Sequence, residues 1–308
     1  LKFARLLTQS LILLFWWAGH FGGKGAKKGK DLRDPLFWIG VTYMALLLLF
    51  AIFGPLIPLP DASLNPVMDN AGRPHLPPGT PGALLGTDEI GRSFLQRLAY
   101  GARISLFIGF AVQTINLIVG ITVGVIATFS KKWVSNAVMR FTDGMFAFPD
   151  ILFAILIVGI VGASKVGPLA VIFALSISGW PSIARLTKTQ LATLKEREYV
   201  VAAKASGAST AYLVFKHLLP QMSGIFLAVS TVELAGTIIS ESTLGFLGIG
   251  VQPPTPTWGG MINSARVNFN SYPVELLWPC LILSGTVFSL NFIGDGLRNY
   301  FDPKSNNS

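Results

Sequence analysis

Leu36 to Ile57 reads LFWIGVTYMALLLLFAIFGPLI, without one charged side chain. The hydrocarbon core of a bilayer is about 30 Å thick, so about 20 predominantly apolar residues in a helix cross it. No water is available there to serve the backbone, and a helix satisfies every N–H within its own segment. A barrel strand would instead alternate polar and apolar residues over about 10 positions, which this run does not do.

The feature recurs along the chain. Ile104 to Phe129, Gly167 to Ala184 and Leu276 to Gly294 are also uncharged, Met145 to Ala163 is broken by Asp150 near its start, and Met222 to Leu247 is apolar apart from Glu233 and Glu241. Only 13% of the 308 residues are charged, against about 25% in soluble proteins, and 51% are hydrophobic. The expected fold is therefore an all-α integral membrane bundle with six transmembrane helices, in one domain over residues 34–304, with spans at about 36–57, 104–129, 145–163, 167–184, 222–247 and 276–294.

Basic residues orient such a bundle. With the N-terminus inside, about three-quarters of the 24 Lys and Arg fall on the cytoplasmic side. Both termini are then cytoplasmic, and two loops, Pro58 to Gly101 and Gly248 to Glu275, lie outside. The net charge of +9 is accounted for by contact with anionic lipid headgroups, without nucleic acid. Residues 1–33 form a separate segment: Leu6 to Trp17 is too short to span and reads as an interfacial entry helix, followed by the basic, Gly-rich linker GGKGAKKGK. A signal peptide is the alternative, although no small-residue cleavage site precedes the Lys cluster. Because the chain opens on Leu1 rather than Met, its true start is expected upstream.

Nothing points to catalysis within the chain. GAKKGKD at Gly25 to Asp31 lacks the spacing of a phosphate-binding loop. His20, His75 and His217 lie far apart and Cys280 falls within a span, so neither a metal site nor a disulfide framework emerges. Energy for any transport must come from a gradient or from another polypeptide.

Glu198 to Gln221, EYVVAAKASGASTAYLVFKHLLPQ, sits between the fourth and fifth spans and is too polar to cross the membrane. It reads as helix, turn, helix. Ala202, Ala203 and Ala205 keep the first helix slim, Gly207 allows the left-handed geometry that ends it, Ser209 can cap the second, and Pro220 fits the first turn of the fifth span. Small side chains let another protein approach the backbone closely and push on the attached spans. The plainer reading is an interfacial hairpin packed under the bundle.

The spacing of Val201, Ala202, Ala203, Gly207 and His217 to Pro220 resembles the cytoplasmic EAA signature of ABC importer permeases, with Val201 in place of Glu and His217 in place of an aliphatic residue. Three further stretches, LGTDEIGRSFLQRLAYGARISL from Leu85, IISESTLGFLGIGVQPPTPTWGGM from Ile239 and FSLNFIGDGLRNYFDPK from Phe288, resemble the C-type permeases of the dipeptide, oligopeptide, nickel and glutathione importers. Ser93 stands where that pattern has Asp, and residues 1–33 carry no resemblance.

The resemblance implies a type I ABC importer permease of a bacterial inner membrane, without enzymatic activity of its own. It would pair with a homologous B-type permease, two ATPase subunits holding ATP and Mg²⁺, and an extracytoplasmic solute-binding protein that delivers peptide. Ala202, Ala203, Gly207, Leu219 and Pro220 would form the segment that couples to the ATPase. The outer loops, including Gly86 to Tyr100 and Val251 to Gly260, would face the binding protein. The rival class is a self-contained secondary transporter or channel using Glu233 as an ion site; it would favour an internal inverted repeat, and none is evident.

Charges inside spans seldom face lipid. Glu233 and Glu241 project within about 80° of each other at 3.6 residues per turn and could line one pathway. Alternatively, Glu233 makes an interhelical hydrogen bond, and Glu241, near the outer end, is hydrated; hydration is the favoured reading for Glu241. Asp143, Asp150 and Asp295 lie near span ends, within reach of water or of a base such as Arg140 or Arg298. Gly120 and Gly124 suit close helix packing, either within the chain or against the partner permease. Arg92, Arg97 and Arg103 could steer an acidic binding protein or anchor to headgroups.

Overall fold

A computed structural model describes residues 34–56, 73–161 and 167–301. The N-terminal segment and its basic linker, residues 1–33, lie outside the described residues, as do residues 57–72 of the first long loop. Among the described residues there is no β-strand, only two isolated bridges at Thr80–Ala83 and Thr87–Ser93.

The helices are α1 (Pro35–Phe53), α2 (Phe94–Phe129), α3 (Lys132–Ala147), α4 (Asp150–Val161), α5 (Pro168–Gly179), α6 (Pro181–Leu194), α7 (Glu198–Ala205), α8 (Thr210–Leu213), α9 (Leu219–Gln221), α10 (Ser223–Phe246), α11 (Trp258–Val267) and α12 (Pro273–Phe301). Asp34 accepts the Leu36 N–H at 2.9 Å to cap α1, whose first residue, Pro35, has no N–H to satisfy. Five stretches are long and apolar enough to cross a membrane: α1, α2, α5 with α6, α10 and α12. The pair α3 and α4 makes a sixth if it is taken as one broken span.

That pair differs from the straight helix expected over 145–163. α3 and α4 meet at a bend of 88°, and α3 extends the element back to Lys132. The reason is local. Pro149 disfavours helical backbone at the residue before it, and Phe148 is extended, with φ −91° and ψ 131°. Other helices outrun their apolar cores: α2 starts at Phe94 and runs 36 residues, about 54 Å at 1.5 Å per residue, and α12 runs 29. Both therefore project well past a hydrocarbon core.

α2 is central, packed against α6, α10, α5 and α1, while α12 packs along α10 and α1. The contact between α2 and α6 explains the paired glycines. A Cβ at Gly120 would stand 2.5 Å from the Ile183 Cβ, and one at Gly124 would stand 2.5 Å from the Thr187 Cβ. These glycines admit α6 of the same chain rather than a helix of a partner permease.

The described part of the loop between α1 and α2 closes on a buried carboxylate. Asp88, 2% exposed, accepts the backbone N–H of Arg92 at 2.8 Å and of Ile90 at 3.1 Å, and its other oxygen meets Arg92 Nε at 2.7 Å and Arg97 Nε at 3.3 Å. Arg103 donates to the carbonyls of Ala51 and Ile52 at 2.5 and 2.8 Å, satisfying the C-terminal end of α1. Arg92 and Arg97 thus hold the loop to the bundle and Arg103 ties α2 to α1; all three are engaged within the chain, the first two in buried ion pairs, rather than offered to a binding protein or to headgroups. His75, stacked on Tyr272, adds a clasp through Nδ1 to Glu275 at 2.6 Å.

Candidate functional site

The segment between α6 and α10 folds as a helical hairpin. Gly207 has φ +88°, and its N–H donates to the Lys204 carbonyl at 3.1 Å while the Ala208 N–H reaches the Ala203 carbonyl, also at 3.1 Å. This left-handed glycine ends α7. Ser209 then caps α8 by accepting the Tyr212 N–H at 3.2 Å. A short π-helical turn, Val214–Leu218, leads into α9, and Leu219 and Pro220 are buried where the chain enters α10.

The hairpin has two faces. Leu213, Val214, Leu218 and Leu219 pack with Val200, with Leu191 of α6 and with Phe226 of α10 in one apolar cluster. Ala202 and Gly207 are exposed, Ala203 is half-buried, and a Cβ at Gly207 would meet nothing within 4 Å. Beside them, Val201, Tyr212 and Phe215 stay open, Phe215 at 71%. Tyr199 OH donates to Gln221 Oε1 at 2.5 Å, tying the start of α7 to the end of α9. Partial burial pushes that phenol's pKa up, with nearby Arg197 pulling against it, so the hydroxyl remains a donor at neutral pH.

Glu233, on α10, lines a cavity of about 280 Å³ together with Gln113 and Asn116 of α2, Ser178 and Gly179 of α5, and Ser182 of α6. Gln113 Nε2 donates to Glu233 Oε2 at 3.1 Å, and Ser182 Oγ donates to Oε1. The interhelical hydrogen bond and the cavity-lining position, considered as alternatives in the sequence, thus occur together. Asp150, exposed at the start of α4, borders the same cavity.

Glu241 does not join it. It is 1% exposed, buried against α2 rather than hydrated as expected, and it accepts from Ser242 Oγ at 3.3 Å and from Ser105. The Ser105 hydroxyl also receives the Trp258 N–H at 3.4 Å. The carboxylate therefore ties the C-terminal end of α10 to α2 through Ser105, the hydroxyl that also holds the start of α11. Asp143 meets Arg185 at 2.5 Å, not Arg140, and the Arg185 guanidinium lies 4.2 Å from the centre of the Phe146 ring. Asp295 and Arg298 are exposed on the last turns of α12.

Comparison with known proteins gives one family. Residues 120–307 match the model for the binding-protein-dependent transport system inner membrane component. A dipeptide transport system permease protein from Alkalihalophilus pseudofirmus is 36% identical over 275 residues, covering 88% of this chain and 87% of that protein. An oligopeptide transport system permease protein from Bacillus subtilis is 35% identical, over 88% of this chain and 86% of its own length. A glutathione transport system permease protein from Pectobacterium atrosepticum is 36% identical, over 71% and 72%. In fold, the chain is similar to one from a structure of the MetNI methionine ABC transporter in inward-facing conformations, with a TM-score of 0.54 over 65% of this chain and 93% of that one, at 20% identity. The helical bundle, the hairpin between its spans and a family match over more than half its length lead to one conclusion: the chain belongs to the binding-protein-dependent transport-system inner-membrane components.

Proposed function

We propose that this chain is the membrane-spanning permease subunit of an ATP-driven peptide importer, forming half of the translocation pathway. The carrying observation is the two-faced hairpin over residues 198–221, exposed and small on one side and fused to the bundle on the other. A motor subunit seated on Ala202, Ala203 and Gly207 moves Leu218, Leu219 and Pro220, and through their shared cluster α6 and α10. Those helices carry Ser182 and Glu233, so force applied at the hairpin reaches the cavity wall. Glu233 lies on the pathway and Glu241 fixes its outer frame.

The remaining parts belong to other chains. Two ABC ATPase subunits bind ATP and Mg²⁺ and hydrolyse the nucleotide, a homologous B-type permease completes the pathway, and an extracytoplasmic binding protein delivers cargo to the outer loops. Both termini are cytoplasmic in a bacterial inner membrane. A self-contained transporter using Glu233 as an ion site is disfavoured by membership of a family of transport-system components.

Reconstitution tests this reading. The chain co-expressed with its neighbouring permease and ATPases should purify as a complex, and in liposomes should accumulate a dipeptide only with ATP and the binding protein. ATP-independent uptake by the lone chain would contradict it.

A further inference from the structure

The cavity beside Glu233 is rich in acceptors and lacks a base. Beside Phe146, Leu175 and two glycines, its described lining presents the carboxylates of Glu233 and Asp150, the amides of Gln113 and Asn116, and four hydroxyls, without Lys, Arg or His. The neighbouring cation, Arg185, lies against Phe146 and is engaged by Asp143 at 2.5 Å. Glu233 itself meets two neutral donors, Gln113 and Ser182.

Two further acceptors, on residues of the cavity wall, are unanswered. Gln113 and Asn116 are 6% and 3% exposed, yet Gln113 Oε1 and Asn116 Oδ1 have no hydrogen-bond partner. Buried acceptors without donors are costly, and a carboxylate within a span favours a cationic partner. A primary ammonium offers three donors and one positive charge, which fits one carboxylate and two amide oxygens. The space of about 280 Å³ is below the roughly 300–1,000 Å³ that encloses an entire small ligand, so it suits one end of a longer cargo.

We infer that this cavity receives the N-terminal ammonium group of the transported peptide, with Glu233 as its counter-ion and Gln113 Oε1 and Asn116 Oδ1 as acceptors. The inference rests on the peptide-permease reading and adds a contact within the membrane, separate from selection by the binding protein. As the peptide crosses, its charged amine exchanges water for these three oxygens. An inorganic monovalent cation shares the charge but offers no N–H donors.

The test uses the complete importer in nanodiscs, with cysteine-free partners and this chain carrying Cys280→Ser and Ser240→Cys, so that the cavity wall holds one thiol. Rates of thiol modification by a cationic and an anionic methanethiosulfonate are compared. The cationic-to-anionic ratio should fall about tenfold with Glu233→Gln, the effect of removing a unit charge a few ångströms away in a partly hydrated site, and should persist with Glu233→Asp. Millimolar dialanine should slow the cationic reagent, whereas N-acetyl-dialanine and sodium chloride at equal ionic strength should not. A ratio insensitive to Glu233→Gln, equal slowing by the acetylated peptide, slowing by sodium alone, or no slowing by dialanine would overturn the inference. Absence of ATP-driven dialanine uptake by the unsubstituted complex would instead overturn the peptide-importer reading.

Discussion

Replacing Asp88 by Ala removes the anion on which two arginines and two backbone N–H groups converge. Arg92 keeps Glu89 at 3.5 Å, and Glu89 is partly hydrated, so that side chain can relax toward water. Arg97 cannot do so as easily: it is 6% exposed, and among the described residues its ion pairing is with Asp88 alone. Breaking a buried pair by deleting one partner costs about 3–5 kcal/mol. At about 2 °C per kcal/mol, the low end for globular domains of about 150–250 residues, the unfolding midpoint should drop by roughly 6 °C or more. Tryptophan fluorescence of the purified complex on heating reads this directly. Asp88→Ala combined with Arg97→Gln should destabilise by clearly less than the sum of the single changes, because the second change removes the stranded charge. The difference should persist at about 1 M salt, since buried pairs are little screened. A midpoint within about 1 °C of the unsubstituted protein, or strict additivity, would refute the buried-hub account and return Arg97 to the surface.

Two other substitutions probe packing and coupling. Gly124→Val places a branched side chain where even a Cβ would stand 2.5 Å from that of Thr187, so α2 and α6 must separate; overpacking of this kind costs about 1–3 kcal/mol and should lower the same unfolding midpoint. At Gly207, with φ +88°, Asn tolerates the left-handed turn better than a β-branched residue. Gly207→Asn should therefore keep most ATP-driven uptake in liposomes, whereas Gly207→Val should lose most of it with membrane insertion intact; equal uptake by the two would contradict the role of the turn.

The spans were legible because an uncharged run of membrane length has few structural outlets, and the hairpin was legible because Gly207, Ser209 and Pro220 each impose a local geometry. The bend between α3 and α4 was harder to see. Lys131, Lys132, Arg140 and Asp143 hid the helix before Pro149, although that proline's effect on Phe148 was a usable signal. The Asp88 hub had a trace in DEIGR, where Asp88 and Arg92 stand four apart, but the approach of Arg97 depends on how the loop folds back onto α2. Glu233 and Glu241 differ for a reason no single helix reveals. Similar in residue type and near in angle, they face different neighbours, one a polar hollow beside α5 and α6, the other Ser105 under the cap of α11.

Cysteine crosslinking at Ala202 tests the central claim most directly. With Ala202→Cys in the assembled importer, a short bifunctional reagent applied to inside-out vesicles should join this chain to an ATPase subunit, and the yield should change when ATP binding closes that subunit. Labelling of the same thiol by an impermeant reagent from the extracytoplasmic side, or crosslinks to lipid alone, would contradict a hairpin that carries motion from a separate motor into the bundle.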